Sequence, residues 1–186
     1  MATIRPARFG GAEDDAALCR TLMREYAGYL NDSVGGEHIC VDSLEAELAA
    51  LPGAYAEPDG AILLAFLDQK PAGCVALKPL KLALNDADPG PSAAAEGARA
   101  CEMKRLWVRP GHQGAGLGRA LADAVIASAR ERGYTAMYLD TMPETMQSAY
   151  ALYCSMGFEP VDRYTDNPVL RRDNSVPIAF LRKRLG

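Results

Sequence analysis

Gln113-Gly-Ala-Gly-Leu-Gly118 joins an apolar run, Cys101-Glu-Met-Lys-Arg-Leu-Trp-Val108, to a helical pattern that begins at Leu117. Glycine has no side chain to block a ligand, and its backbone can turn successive N–H groups to one side. The helix that follows adds unsatisfied N–H groups and a partial positive charge. A strand, a glycine turn and a helix in this order make a seat for phosphate or pyrophosphate. Arg109 and Arg119 place charge at either end of it. The packing needs of a tight strand-to-helix turn would account for the same glycines. Leu117, Leu121, Ala124/Val125 and Ser128 recur at helical spacing over residues 117–132, and Gly133 ends the helix. Ala136-Met-Tyr-Leu139 is the next strand, so the segment predicts a β-α-β unit with a parallel pair.

On the C-terminal side, residues 144–156 predict a helix closed by Gly157. A strand follows over 158–161, then a polar loop over 167–175 and a last strand over 178–181. On the N-terminal side, residues 3–5 predict a short strand stopped by Pro6. Residues 13–30 predict an amphipathic helix with Leu18, Leu22, Tyr26 and Tyr29/Leu30 on one face and Glu13, Asp14 and Asp15 in its first turn. Residues 31–36 are a loop. Asp42 or Ser43 can cap a second helix bearing Leu44, Leu48 and Leu51, ended by Pro52-Gly53. The run at 61–67 predicts a buried strand, 68–71 a turn, and 73–77 the returning strand of a hairpin. Residues 85–98 hold no apolar side chain larger than alanine and predict a flexible loop. That loop interrupts one domain over 1–186 without dividing it, since neither side carries a complete core.

Composition narrows the function. Of 186 residues, 49% are apolar and 24% charged, as in a globular protein. Alanine supplies 32 of them, so the core must come from the larger apolar minority. No run of 18 apolar residues exists to span a membrane, and the N-terminus shows no secretory pattern. Five cysteines at wide spacing, no CxxC pair and only His38 and His112 argue against a disulfide framework and a metal site. The expected compartment is the cytoplasm. Residues 1–98 carry 7 Lys/Arg and 15 Asp/Glu, a balance of −8; residues 99–186 carry 13 and 9, a balance of +4. Compositional drift accounts for this, as does an anionic ligand on the second half with a cationic one near the first. The absence of a dense basic patch excludes nucleic acid as the expected partner.

The glycine turn is not a nucleotide P-loop, because Gly118 is followed by Arg119-Ala120 and not by Lys-Ser/Thr. It is not a dinucleotide fingerprint either: Arg119 stands where Gly114-Ala-Gly116 would need a third glycine. Gln113-x-x-Gly116-x-Gly118 instead resembles the Q/R-x-x-G-x-G/A acetyl-CoA motif of the GNAT N-acetyltransferase superfamily. Glu102-Met-Lys-Arg-Leu-Trp-Val-Arg-Pro110 resembles that family's fourth strand running into its pyrophosphate loop, and Leu139-Asp-Thr141 its fifth strand end. Ala149-Tyr-Ala-Leu-Tyr-Cys-Ser-Met-Gly-Phe158 resembles the segment that closes its core.

The resemblance implies an α/β fold: a mixed, mostly antiparallel sheet with a central parallel βαβ pair, flanked by helices. It implies acetyl-CoA as cofactor, with the pyrophosphate on Gln113, Gly114, Ala115, Gly116, Leu117, Gly118 and Arg119 and the pantetheine arm along Leu106, Trp107 and Val108. Tyr153 falls on the family's usual general acid, and core packing would also explain it. Glu102 stands where relatives often carry a base acting through water, and a salt-bridged glutamate would look the same. Glu25, Tyr26 and Asp140 are other candidate bases, and His112 flanks the loop toward phosphate or solvent. Cys154, beside Tyr153, is expected to be buried and inert. Met146 departs from the asparagine many relatives carry and cannot donate a hydrogen bond. Glu25 and Tyr26, on the first helix, are expected at the acceptor site. The implied activity is acetyl transfer to a primary amine, most simply of a small molecule, by direct attack in a ternary complex. A non-catalytic acyl-CoA-binding module and a peptide or protein N-acetyltransferase are the alternatives. A homodimer is left open.

Overall fold

The computed structural model describes residues 1–33, 41–81, 99–164 and 177–186, with the side chains of 41–43 outside that description. The elements are β1 (Ala2–Pro6), α1 (Ala16–Ser33), α2 (Val41–Ala49), β2 (Ala61–Leu67), β3 (Lys70–Leu80), β4 (Ala100–Val108), α3 (Leu117–Glu131), β5 (Ala136–Thr141), α4 (Gln147–Ser155), β6 (Glu159–Val161) and β7 (Ala179–Arg184). Single 3₁₀ turns sit at Gly53–Tyr55 and Pro110–His112. The seven strands form one sheet in the order β1-β2-β3-β4-β5-β7-β6. Among the described residues only β4 and β5 run parallel. The expected mixed, mostly antiparallel sheet with its central parallel βαβ pair is therefore present.

Helices cover both faces of the sheet, which is why β2 is apolar without alternation. Leu63 and Ala65 face the core beneath α3, with Leu121, Val125 and Ile126; Ile62 and Leu64 face the core beneath α1, with Cys19, Leu22 and Met23. Leu22 is fully buried, and such a side chain contributes roughly 1.5–3 kcal/mol relative to exposure. Asp68 and Gln69 make the two-residue turn between β2 and β3, at φ 48° and 65°, the pairing that matches strand twist in a tight hairpin. The turn is shorter than its sequence suggested, so β3 begins at Lys70.

Several boundaries differ from expectation. Pro6 lies inside β1, opposite Leu63, because β1 is an edge strand and one of its sides needs no donor. Helix α1 starts at Ala16, and its acidic residues precede it. Asp14 accepts the Ala16 N–H at 2.7 Å, and Asp15 takes both Arg5 guanidinium nitrogens and the Arg8 N–H. Aspartate that can bond nearby donors in an extended conformation competes with helix formation there. Residues 143–145 are a turn, so α4 starts at Gln147. The loop expected over 31–36 is helical as far as Ser33, whose hydroxyl donates to the Tyr29 carbonyl one turn back, and α2 begins at Val41, which puts Asp42 and Ser43 inside its first turn and not at its cap. The rest of that loop, the flexible loop expected at 85–98 and the polar loop at 167–175 lie outside the described residues.

Strand β3 meets β4 so closely at Gly73 that a Cβ there would overlap the Trp107 carbonyl oxygen. Backbone cannot move aside cheaply, so Gly73→Ala should cost about 1–3 kcal/mol, the usual scale of overpacking. Urea denaturation reads this directly; an unchanged midpoint would refute the close approach.

Candidate active site

The glycine turn is exposed and its backbone is unobstructed. Gly114 and Gly116 adopt φ 80° and 78°, and a Cβ at either would meet no atom within 4 Å. The fold therefore asks for their left-handed backbone but leaves the space above them open. Gly118 has an ordinary φ, and a Cβ there would make only ordinary contacts with Leu152 and Val108. Packing does not require glycine at that position. The first N–H groups of α3 have no intrahelical acceptor, and Gly114, Ala115 and Gly116 donate to no backbone carbonyl among the described residues. This unobstructed turn, with free donors and a helix dipole behind it, could hold a diphosphate. Gln113 donates its side-chain amide to the Val108 carbonyl at 3.0 Å and so shapes the turn. Leu117 is buried and offers only backbone. Arg119 reaches Ser155 on α4 at 2.5 Å.

Upstream of the turn the sheet forks. Strands β4 and β5 pair only through Ala100↔Ala136, Cys101↔Met137 and Glu102↔Tyr138. Past that point β4 stays with β3 and β5 stays with β7. A bulge in the β3–β4 pairing, with Arg105 at φ 58°, bends β4 where the strands part. Left-handed backbone costs a non-glycine residue about 1 kcal/mol or more. The Arg105 guanidinium gains a bidentate pair with Glu47 on α2, at 2.6 and 3.1 Å, which holds it there. Burial opposes the charge on Glu47, but Arg105 outweighs it and keeps the carboxyl below its usual range. Trp107 faces the α1 side, whereas Leu106 and Val108 pack on the α3 side.

Tyr153 comes to this region from α4, buried and edge-on to Phe158 at 5.8 Å between ring centroids. Burial drives its phenol well above the usual range, reinforced by the charge of Asp140. Tyr26 comes from α1, on the opposite face of the sheet, with its ring 6.0 Å from Trp107. Its phenol is also raised by burial. Asp140, on β5 just past the point where β4 leaves it, raises both phenols further.

The three carboxylates considered as bases are committed. Glu102 is buried, 2.9 Å from Lys78, 3.6 Å from Lys104, and it accepts the Tyr164 hydroxyl at 2.9 Å. It is the salt-bridged glutamate of the two sequence readings. Glu25 takes two Arg109 nitrogens at 2.7 and 2.8 Å, and Arg109 also donates to the Pro71 carbonyl. Arg109 is thus a brace between α1 and the strands. Asp140 accepts from Lys104 at 3.0 Å. Other N-terminal acids are paired as well, Asp15 with Arg5 and Glu45 with Arg24. Four more acids of that half, Glu25, Glu47, Glu57 and Asp59, pair with arginines from residues 99–186.

Arg109 holds the Glu25 carboxyl below its usual range. Its stabilisation is present above the unfolded pKa, about 4.3, and is lost as pH falls through the folded value. For this partly exposed pair, Glu25→Gln should cost about 0.5–1 kcal/mol at pH 7, with wild type and variant converging below about pH 3. Urea denaturation at both pH values checks this; an equal loss at the lower pH would contradict it.

Cys154 is exposed, correcting its expected burial: it lies on the outer face of α4, one step from the inward Tyr153. The other described cysteines are buried and free, and burial pushes the Cys19 and Cys101 thiols up to about 12. Lys78, Lys104, Arg105 and Tyr164 were missed by sequence reasoning. Glu102-x-Lys104 alternation puts both on one face of a strand and signalled Lys104. Nothing local ties Tyr164 to a residue 62 positions earlier. Among the described residues no group of His, Cys, Asp and Glu could hold a metal, and no helix is long and apolar enough to cross a membrane.

The acetyltransferase (GNAT) family model matches residues 19–158. An uncharacterized N-acetyltransferase of Schizosaccharomyces pombe is 35% identical over 72% of this chain and 73% of its own. A GNAT-family acetyltransferase of Staphylococcus aureus shares the fold with a TM-score of 0.70 at 18% identity, over 100% of both chains. A GNAT-family acetyltransferase of Elizabethkingia anophelis, solved with acetyl-CoA bound, has a TM-score of 0.61 at 18% identity over 98% of this chain and 97% of its own.

Proposed function

The chain belongs to the acetyltransferase (GNAT) family and is an acyltransferase, and on that premise we propose that it transfers acetyl from acetyl-CoA to a primary amine of a small molecule. The observation that carries this is the fork: an open glycine cradle at the end of β4, and the phenols of Tyr153 and Tyr26, from opposite faces, both within the field of Asp140 just past where β4 leaves β5. Acetyl-CoA supplies an acetyl group activated as a thioester. The backbone N–H groups of 114–119 hold its diphosphate, and the unpaired edge of β4 at Leu106, Trp107 and Val108 holds its arm by backbone hydrogen bonds.

The amine nitrogen forms a bond to the carbonyl carbon, the carbon–sulfur bond breaks, and the sulfur leaves with the electron pair. The nitrogen gives up one proton and the sulfur gains one. Tyr153 is protonated throughout the neutral range because burial raises its phenol, so it is a donor and not a base. A thiol of pKa about 8.5 is the stronger acid of the two, so the phenol stabilises the departing sulfur chiefly by donating a hydrogen bond. Glu102, saturated by Lys78, Lys104 and Tyr164, orders the α1 side of the fork. Tyr26 and the Glu25–Arg109 brace wall the acceptor side. Alternating charges there, Lys78, Glu102, Lys104 and Asp140, suit a small zwitterionic or cationic amine, with an ammonium losing its proton before attack. One domain spanning 1–186 is supported by the single sheet, and a cytoplasmic location by the unpaired thiols.

Thiol release measured over amines, amino acids, polyamines and peptides tests the reading. Release with small amines is expected. Release with peptides alone would make it a peptide acetyltransferase, and binding of acetyl-CoA without release under any amine would make it a regulatory module.

A further inference from the structure

We propose that the Lys104–Asp140 ion pair is a strut across the fork, setting the separation of β4 from β5 and so the seat of the acetyl-CoA arm. The parallel register 100↔136, 101↔137, 102↔138 would bring residues 104 and 140 opposite each other next. The backbones have parted by then, and in place of ladder hydrogen bonds the Lys104 ammonium stands 3.0 Å from the Asp140 carboxylate. The pair ends a line of alternating charge across three strands. Lys78 on β3 meets Glu102 on β4 at 2.9 Å, and Glu102 shares Lys104 at 3.6 Å. Both side chains of the strut are largely sheltered, 25% and 13% exposed. Burial alone would lower the Lys104 ammonium, yet Asp140 and Glu102 together raise it. Asp140 is likewise pushed up by burial and pulled down further by Lys104. Removing either member of a sheltered pair takes away compensation that burial makes costly to lose. In Lys104→Met, Glu102 and Asp140 lose the cation between them, and the fork is free to change width.

These are positioning residues: they act through the strand edges that hold the arm. The inference rests on the acetyl-CoA reading above, and its test separates the two. Calorimetry of the full chain measures the affinities for acetyl-CoA, which spans cradle and fork, and for ADP, whose diphosphate needs only the cradle. Lys104→Met and the near-isosteric Asp140→Asn should each weaken acetyl-CoA about tenfold, or ~1.4 kcal/mol, with ADP unchanged. Lys104→Arg, which keeps the charge and can pair a carboxylate, should stay close to wild type. A general loss of structure would lower both affinities together, so a parallel loss overturns the strut. So does an unchanged acetyl-CoA affinity in Asp140→Asn, the variant that decides the matter if Lys104→Met does not fold. Wild-type protein that binds no acetyl-CoA would overturn the functional reading itself.

Discussion

Gly116→Asp should abolish the rise in melting temperature that acetyl-CoA gives the wild-type protein. A ligand that binds only the folded state at 100 times its Kd adds about 2.7 kcal/mol, or roughly 5–10 °C for a chain of this size. Gly116 sits at φ 78° as the residue before α3, with no atom near where a Cβ would go. Aspartate tolerates left-handed backbone better than most residues and is a favoured helix cap. The ligand-free protein should therefore melt within a few degrees of wild type. The new carboxylate would occupy the cradle and repel a diphosphate. Added salt should also weaken wild-type binding, since phosphate contacts are screened. A variant that keeps the full shift would mean that the cradle holds something other than the cofactor.

Tyr153→Phe should lower turnover by roughly 10²-fold or more, the usual scale for losing one hydrogen-bond donor to a developing charge, with little change in acetyl-CoA affinity. The ring would keep its packing against Phe158, because only the hydroxyl is removed. Among the described residues that hydroxyl has no hydrogen-bonding partner to leave stranded. Stability should therefore hold while the chemical step slows. Product release can mask a slower step, so single-turnover rates give the cleaner reading. Unchanged single-turnover kinetics would leave Tyr153 a core residue.

The glycine turn, the parallel β-α-β unit and most strands were legible in the sequence because each is set by local chemistry. A run of buried residues such as Ala61–Leu67 declares a strand, and glycines between a strand and a helix declare a backbone that needs left-handed φ. Element ends were less legible. Asp14 and Asp15 were assigned to the first turn of α1, but their carboxylates bond the Ala16 N–H, Arg5 and Arg8, partners set partly by β1. The exposure of Cys154 also escaped, because neighbours on one helix differ by about 100° in direction and only the packing of α4 says which points inward.

The order of elements and the chemistry of the cradle depend on neighbours in the chain, so both can be read along it. The state of the charges cannot, because it is set by residues that meet only in the folded protein. Glu25, Glu47, Glu102 and Asp140 read alike as acids, and any could have been a free base. Their partners, Arg109, Arg105, Lys78 and Lys104, come from strands brought alongside by the sheet, two of them 58 and 84 residues away. The fork belongs to the same class: no residue of β4 announces that its pairing with β5 stops at Glu102. A charge's role depends on the nearest opposite charge in space, and the chain reports only the nearest in sequence.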